Sequence, residues 1–109
     1  MERLAQALTR LHATIDARRG ADPTGSYTAK LLSGGPERAA KKFGEEAVET
    51  VIAGVGGDPD ALAAESADLL YHWLVLLAAA GVTPDQVAAK LEARAGRSGL
   101  DEKASRSPE

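Results

Sequence analysis

The chain lacks cysteine, has few aromatic residues and contains no long run of β-branched residues. Without cysteine in its 109 residues, disulfide scaffolds and thiolate metal sites are excluded, which fits a reducing compartment. Aromatic residues make up only 4% of the chain, whereas alanine and leucine are abundant, so the composition favours helices. The length suffices for one domain with a core and is too small for two.

Membrane, export and nucleic-acid signals are also weak. The most apolar segment, ADLLYHWLVLLAAAGV, contains Asp68 and His72 and is shorter than the roughly 20 apolar residues of a membrane span. The N-terminus, MERLAQALTRL, lacks the apolar core of a signal peptide. A net charge of −3 gives no reason to expect nucleic-acid binding. We therefore expect a cytoplasmic protein that binds neither membranes nor nucleic acid.

Apolar spacing and helix-capping residues predict an all-α domain over residues 1–95 with four main helices. The first helix ends near Gly20 and has the apolar stripe Leu4, Leu8, Leu11 and Ile15. After a loop, YTAKLL is compatible with one short helical turn. The second main helix runs from Pro36 to about Val55, with the stripe Phe43, Ala47, Val51 and Val55.

The remaining boundaries follow from the same signals. Asp58 and Pro59 begin a third helix that ends at Ala80 before Gly81, and Thr83 begins a fourth. The second half of the third helix, Leu69 to Ala80, is apolar on nearly every side, so we expect a dimeric helical bundle that buries it between subunits. Residues 96–109, GRSGLDEKASRSPE, are polar and without periodicity, and a disordered tail is predicted.

Acidic residues are crowded into the stretch KKFGEEAVET, and the next helix carries a second acidic pair, Glu65 and Asp68. If the two helices form an antiparallel hairpin, residues at equal height have position numbers with a constant sum. Glu49 with Glu65 and Glu46 with Asp68 share that sum, and its midpoint is Gly57 in the predicted turn. Residues three apart lie on one helix face, so the two acidic pairs are expected to meet.

Four converging carboxylates beside an apolar seam must be neutralised, and a hard divalent cation does this. Oxygen ligands suit Mg²⁺, or alternatively Mn²⁺, and Mg²⁺ commonly bridges to substrate phosphates. We therefore predict a metal site, with a phosphate-bearing substrate, whose ligands are Glu46, Glu49, Glu65 and Asp68. The alternative is that each pair is simply a solvated helix face.

Other candidate residues surround this predicted site. The candidate catalytic residues are Glu45, Glu46 and Glu49, and water would be activated by Glu45 or by one of the ligand carboxylates. Glu45 can also be a solvated surface residue. Lys41 and Lys42 are ordinary charge partners of the glutamates or phosphate contacts. His72, four residues after Asp68, is either an interior histidine held by a hydrogen bond or a ligand, and it is also a candidate substrate contact.

Two segments, GPERAAKKFGEEAVETVIA and ESADLLYHWLVLLAAAGV, resemble the phosphoribosyl-ATP pyrophosphatase family of histidine biosynthesis. SYTAKLLSGG resembles the family segment before the first acidic helix. The acidic pairs alone mark the wider all-α group of MazG-type nucleoside triphosphate pyrophosphohydrolases. The departures, Phe43, Ser66 and Trp73, leave the acidic residues intact.

The resemblance implies a helical homodimer that hydrolyses phosphoribosyl-ATP to phosphoribosyl-AMP and pyrophosphate. With it, Lys30, Lys41 and Lys42 become candidate phosphate contacts, and Tyr27 a base or ribose contact. One rival function is a housekeeping MazG-type pyrophosphatase acting on free nucleoside triphosphates. A more distant rival is a non-catalytic helical protein that binds metal through carboxylates or serves as an interaction module. Di-iron bundles use Glu-x-x-His pairs, which this chain lacks at the acidic positions.

Overall fold

The computed structural model describes residues 1–96, which form five α-helices and no strand. The helices are α1 (Glu2–Ala17), α2 (Tyr27–Ser33), α3 (Gly35–Gly56), α4 (Pro59–Ala80) and α5 (Pro84–Arg94). The all-α prediction is confirmed, whereas the count of four main helices is exceeded because YTAKLL forms α2. From residue 97 onward, the predicted disordered tail lies outside the described residues.

Helix ends follow the local signals closely. Asp58 caps α4 by accepting a hydrogen bond from the amide of Asp60, and Gly81 ends it with a positive φ of 74°. Thr83 and Gln86 form a reciprocal capping box at the start of α5. The first helix ends at Ala17, slightly earlier than the expected end near Gly20.

The short helix α2 depends on its contacts with the rest of the chain. Ser26 caps it by accepting a hydrogen bond from the amide of Ala29 at 3.1 Å. Leu31 is 0% exposed and Ala29 is 3% exposed, because α2 packs on both α3 and α4. A helix of this length is unstable in isolation, so tertiary packing supplies most of its stability.

The two long helices, α3 and α4, form the main contact of the fold and pack as an antiparallel hairpin. Gly57 joins them with a φ of 82°, a left-handed conformation that glycine adopts without strain. A Cβ on Gly54 would lie 3.7 Å from Leu62, so the helices approach closely near the turn. This hairpin fixes the relative height of the acidic residues.

The core lies between the second half of α4 and helices α1, α2 and α3. Ile15, Leu31, Ala39, Leu74 and Val75 form its buried cluster. Leu74 and Val75 are 3% and 1% exposed, so helices of the same chain already cover them. The expectation that only a second subunit could bury this part of α4 is therefore wrong for these two residues.

By length and composition alone, the whole of α4 could cross a membrane. The helix is longer than the apolar segment considered in the sequence, because it begins at Pro59 and includes 22 residues. The same helix contributes buried residues to the core and packs against α1, α2 and α3. These contacts are typical of a core helix.

The predicted apolar stripe of α3 is covered only in part. Phe43 and Ala47 are half-buried, as expected for a face that packs inward. Farther along, four aliphatic residues are 60–84% exposed: Val48, Val51, Ile52 and Val55. Within residues 1–96, these four side chains at the end of α3 remain largely uncovered.

Candidate functional site

Three glutamates from the two long helices converge at the middle of the hairpin. Glu46 and Glu49 lie one turn apart on α3, and Glu65 faces them from α4. One carboxylate oxygen from each residue lies within 4.8 Å of the others. We call these three residues the acidic cluster.

The environment of Glu65 disfavours its ionised form. Burial raises the pKa of the Glu65 carboxyl above its usual value, and so does the charge of neighbouring Glu49. A side-chain hydrogen bond with Glu49 and the charges of Asp68 and Glu46 act in the same direction. Burial and neighbouring negative charge therefore both favour the neutral form of Glu65 over its ionised form.

Two oxygens of the acidic cluster, Oε2 of Glu46 and Oε2 of Glu65, are buried and have no hydrogen-bond partner. Buried carboxylate oxygens without partners are energetically unfavourable unless a proton or a cation satisfies them. A set of oxygen ligands with this charge fits a hard divalent cation such as Mg²⁺ or Mn²⁺. The residues present are therefore suited to holding such an ion.

Asp68, the fourth residue of the predicted ligand set, is not among the three that converge. Its side chain is exposed, although its charge contributes to the raised pKa of Glu65. Aspartate has one methylene group fewer than glutamate, so its carboxylate reaches less far from the helix. The predicted group of four is thus present as a close group of three with Asp68 at its edge.

Glu45 and the two lysines lie on the exposed side of α3. Lys42 Nζ donates to Glu45 Oε2 at 3.3 Å, one helical turn away. An exposed pair of this kind contributes about 1 kcal/mol or less. Glu45 and Lys41 are both solvent-exposed. Glu45 is therefore on the solvent-facing side of α3 and is not part of the acidic cluster.

His72 is buried on α4, with 7% of its surface exposed. Its Nδ1 lies 2.8 Å from the backbone oxygen of Asp68, and because a carbonyl only accepts, Nδ1 donates. Its Nε2 is buried and has no partner. The hydrogen-bonded interior histidine is therefore observed, while one ring nitrogen remains available.

Tyr27 and Lys30 belong to α2 and are not part of the acidic cluster. The Tyr27 ring contacts the His72 ring edge-on, with centroids 6.4 Å apart. Lys30 is exposed and lines a surface cleft together with Tyr27.

Two further interactions near the site were not predicted. The Thr50 hydroxyl lies 2.8 Å from the backbone oxygen of Glu46 and 3.2 Å from that of Glu65. Thr28 Oγ1 and Tyr71 Oη are 2.6 Å apart and join α2 to α4. The position of Thr50, four residues after Glu46, was the available signal for the first contact. The contact between Thr28 and Tyr71 depends on the packing of α2, and the sequence indicated α2 only as a short helical turn.

Comparison with known proteins gives a consistent result. A family model described as phosphoribosyl-ATP pyrophosphohydrolase matches residues 8–95. A Caulobacter vibrioides (strain NA1000 / CB15N) protein named phosphoribosyl-ATP pyrophosphatase is 69% identical over 105 residues, which cover 96% of this chain and 97% of the relative. A protein of the same name from Caulobacter sp. (strain K31) is 67% identical, with coverage of 97% and 98%. One from Cereibacter sphaeroides (strain KD131 / KCTC 12085) is 61% identical, with coverage of 91% and 96%.

Proposed function

The chain belongs to the phosphoribosyl-ATP pyrophosphohydrolase family, and from this premise we propose that its acidic cluster is the hydrolytic site. The reaction is the hydrolysis of phosphoribosyl-ATP to phosphoribosyl-AMP and pyrophosphate, the second step of histidine biosynthesis. The observation that carries the site assignment is the convergence of Glu46, Glu49 and Glu65 within 4.8 Å, with two buried oxygens lacking partners.

Glu46, Glu49 and Glu65 are the residues that would hold Mg²⁺, or Mn²⁺ in its place, and Asp68 is the fourth proposed ligand. Bound at these carboxylates, the ion supplies positive charge for the triphosphate and for the pyrophosphate leaving group. The chain itself contributes orientation, since helices α3 and α4 hold the carboxylates on facing surfaces.

Glu45 is proposed as the base that accepts a proton from the attacking water. In this step the water oxygen bonds to phosphorus while the α–β phosphoanhydride P–O bond breaks and pyrophosphate leaves. Glu45 is exposed and lies one turn before Glu49, so its carboxylate can contact water on the solvent side of the acidic cluster. Lys41 and Lys42, on the preceding turn, are proposed to bind the triphosphate. The Lys42–Glu45 pair would open when the phosphates arrive.

The housekeeping rival uses the same kind of acidic site on ordinary nucleoside triphosphates. The acidic cluster alone does not separate the two functions, because it recognises only phosphate and metal. Membership of the family over residues 8–95 and identities of 61–69% to the named relatives favour phosphoribosyl-ATP. The non-catalytic alternative has no comparable support.

We further propose that the protein functions as a cytoplasmic homodimer. The supporting observation is the exposed aliphatic end of α3, where Val51 and Ile52 are each 65% exposed. An apolar patch of this kind on a small domain favours a protein partner. A second copy of the chain would cover this face together with the half-buried side of α4.

Pyrophosphate release is the direct test of the proposed function. The enzyme would be assayed with phosphoribosyl-ATP, ATP and dCTP, each with Mg²⁺ and with excess chelator. We expect rapid release only from phosphoribosyl-ATP with metal present. Equal turnover of ATP or dCTP would support the housekeeping function instead, and activity in excess chelator would contradict the metal site.

A further inference from the structure

Helix α5 is well formed but is hardly covered by the rest of its own chain. Pro84 is its first residue, and the capping box of Thr83 and Gln86 satisfies amide groups at its start. None of its residues is buried, and it has no extensive contact with α1, α2, α3 or α4. A helix of 11 residues is marginal in water unless another surface packs against it. Helices α1 to α4 of the same chain do not supply that surface.

The joint between α4 and α5 holds α5 in a fixed direction. The amides of Gly81 and Val82 donate to carbonyl oxygens in the last turn of α4, at 3.3 and 2.9 Å. The Thr83 amide donates to Oε1 of Gln86 at 2.7 Å. Three successive amides are thus satisfied, so α5 cannot turn onto the core of its own chain without breaking these hydrogen bonds.

The apolar face of α5 is formed by Val87 and Leu91, which lie one turn apart on the same side of the helix. Val87 is half-buried, whereas Leu91 is 61% exposed. We call these two residues the α5 face. Pro84 lies on the same side one turn earlier, so the face continues to the start of the helix.

A cleft of about 450 Å³ lies where α1, α4 and the start of α5 meet. We call it the α1–α5 cleft. Its apolar wall contains Leu8 of α1 with Trp73 and Leu74 of α4, and Pro84 lies at its edge. Trp73 is half-buried there. Tryptophan in an apolar pocket is a common anchor of protein interfaces, so this cleft is suited to receiving an apolar side chain.

Leu91 cannot fill the α1–α5 cleft of its own chain. It lies seven residues after Pro84, which is roughly 10 Å farther along the helix axis. Each copy therefore carries an open apolar cleft and an uncovered apolar face, and the two adjoin at Pro84. When a surface and its complement lie on one chain, a two-fold axis lets two copies exchange them reciprocally and closes the assembly. A second copy is thus the occupant that satisfies both surfaces at once.

We infer that α5 is an interaction arm whose face packs into the α1–α5 cleft of a second copy, while the second copy's α5 does the same in return. The inference rests on the homodimer proposed above and adds a contact to it. This contact is separate from the exposed aliphatic end of α3, because that end adjoins the start of α4 whereas α5 follows the end of α4.

The first test places a charge on the α5 face with Leu91→Asp. Ala89→Asp is the matched control, since Ala89 is exposed on α5 and lies off the α5 face. Leu91→Asp is expected to raise the dissociation constant of the dimer by about 10- to 100-fold, because a large apolar side chain is lost from the interface. Sedimentation velocity at several concentrations measures this constant. Equal dissociation constants for the two variants would overturn the inference.

Folding of the single chain should not change in either variant, because α5 contributes no buried residue. Thermal melting followed by circular dichroism, at a concentration where every variant is monomeric, checks this. A loss of melting temperature in Leu91→Asp alone would show that Leu91 packs within its own chain, and it would contradict the exchange between copies.

The second test uses Trp73, the only tryptophan of the chain, to report on the α1–α5 cleft. On dilution of the wild type, its emission should shift to longer wavelength, because water replaces the α5 face of the departing copy. Leu91→Asp should show the shifted emission at concentrations where the wild type does not. Emission that depends neither on concentration nor on Leu91 would overturn the inference.

The outcomes separate this contact from the proposals above. A wild-type monomer would contradict the homodimer and the α5 contact together. A dimer that Val51→Asp dissociates and Leu91→Asp does not would contradict only the α5 contact. Pyrophosphate release tests the proposed activity independently, since neither residue of the α5 face belongs to the acidic cluster.

Discussion

Thr50 on α3 contacts the backbone oxygen of Glu65 on α4 at 3.2 Å, while lying 2.8 Å from the backbone oxygen of Glu46. Its single hydroxyl proton is shared between the two helices that carry the acidic cluster. The contact therefore ties the register of the hairpin to the position of two proposed metal ligands. A register shift would separate the carboxylates that now lie within 4.8 Å of one another.

Thr50→Val tests this link, since valine has nearly the same shape and no hydroxyl. We expect the free energy of unfolding to fall by about 1 kcal/mol, the usual contribution of one hydrogen bond, and Mg²⁺ affinity to fall as well. Thr9→Val is the matched control, because Thr9 bonds only to Ala5 within α1. Chemical denaturation and metal titration measure both effects. Equal behaviour of the two variants in metal titration would refute the link.

Glu49→Gln is expected to reduce turnover severely while leaving the metal-free fold as stable as the wild type or more stable. The substitution removes one charge from a group of repelling carboxylates, so stability does not depend on it. A structural ion pair would behave differently, since breaking it lowers stability. Mg²⁺-dependent turnover and metal-free melting would be compared with Glu92→Gln on α5. Near-normal activity of Glu49→Gln would contradict the site.

Glu65→Gln should reveal the pH dependence of the metal-free protein. The folded-state pKa of Glu65 is raised from the ordinary value of 4.5 by burial and by Glu49, so protonation favours folding. The stabilisation of the folded state by protonated Glu65 is fully present below pH 4.5, and it is lost as the pH rises through the folded-state pKa. Glu65→Gln should therefore be more stable than the wild type at neutral pH, and this advantage should shrink towards pH 4.5.

Denaturation at several pH values in chelator measures this difference. Addition of Mg²⁺ at neutral pH should stabilise the wild type more than Glu65→Gln, because the ion binds only the folded site. A stability difference that does not vary with pH would show that Glu65 is not perturbed in the folded protein.

Val51→Asp and Leu74→Asp should separate assembly from folding. Val51 is 65% exposed in the single chain, so a charge there should dissociate the proposed dimer while the monomer remains folded. Leu74 is 3% exposed within the chain, and an unpaired buried charge costs several kcal/mol, so Leu74→Asp should unfold it. Light scattering and circular dichroism measure the two outcomes. A wild-type monomer at micromolar concentration would contradict the dimer proposal.

Helix boundaries were predictable because the signals that set them act within a few residues. Asp58 and Thr83 cap the helices that they were expected to begin, and Gly57 and Gly81 have the left-handed conformations expected at helix ends. The facing of Glu49 and Glu65 also followed from the sequence, since a tight antiparallel turn and a constant rise per residue determine which positions are level.

Burial and side-chain direction were decided only by tertiary packing, because they depend on residues far apart in the chain. Apolar periodicity placed both Val51 and Leu74 on helix faces expected to be buried. Leu74 is buried by other helices of the same chain, whereas Val51 is exposed. Likewise, α2 is held in place as a helix by its packing on α3 and α4. The same packing leaves Nε2 of His72 buried without a partner. Local pattern shows that a residue can be buried, whereas the neighbours that cover it are selected by the fold.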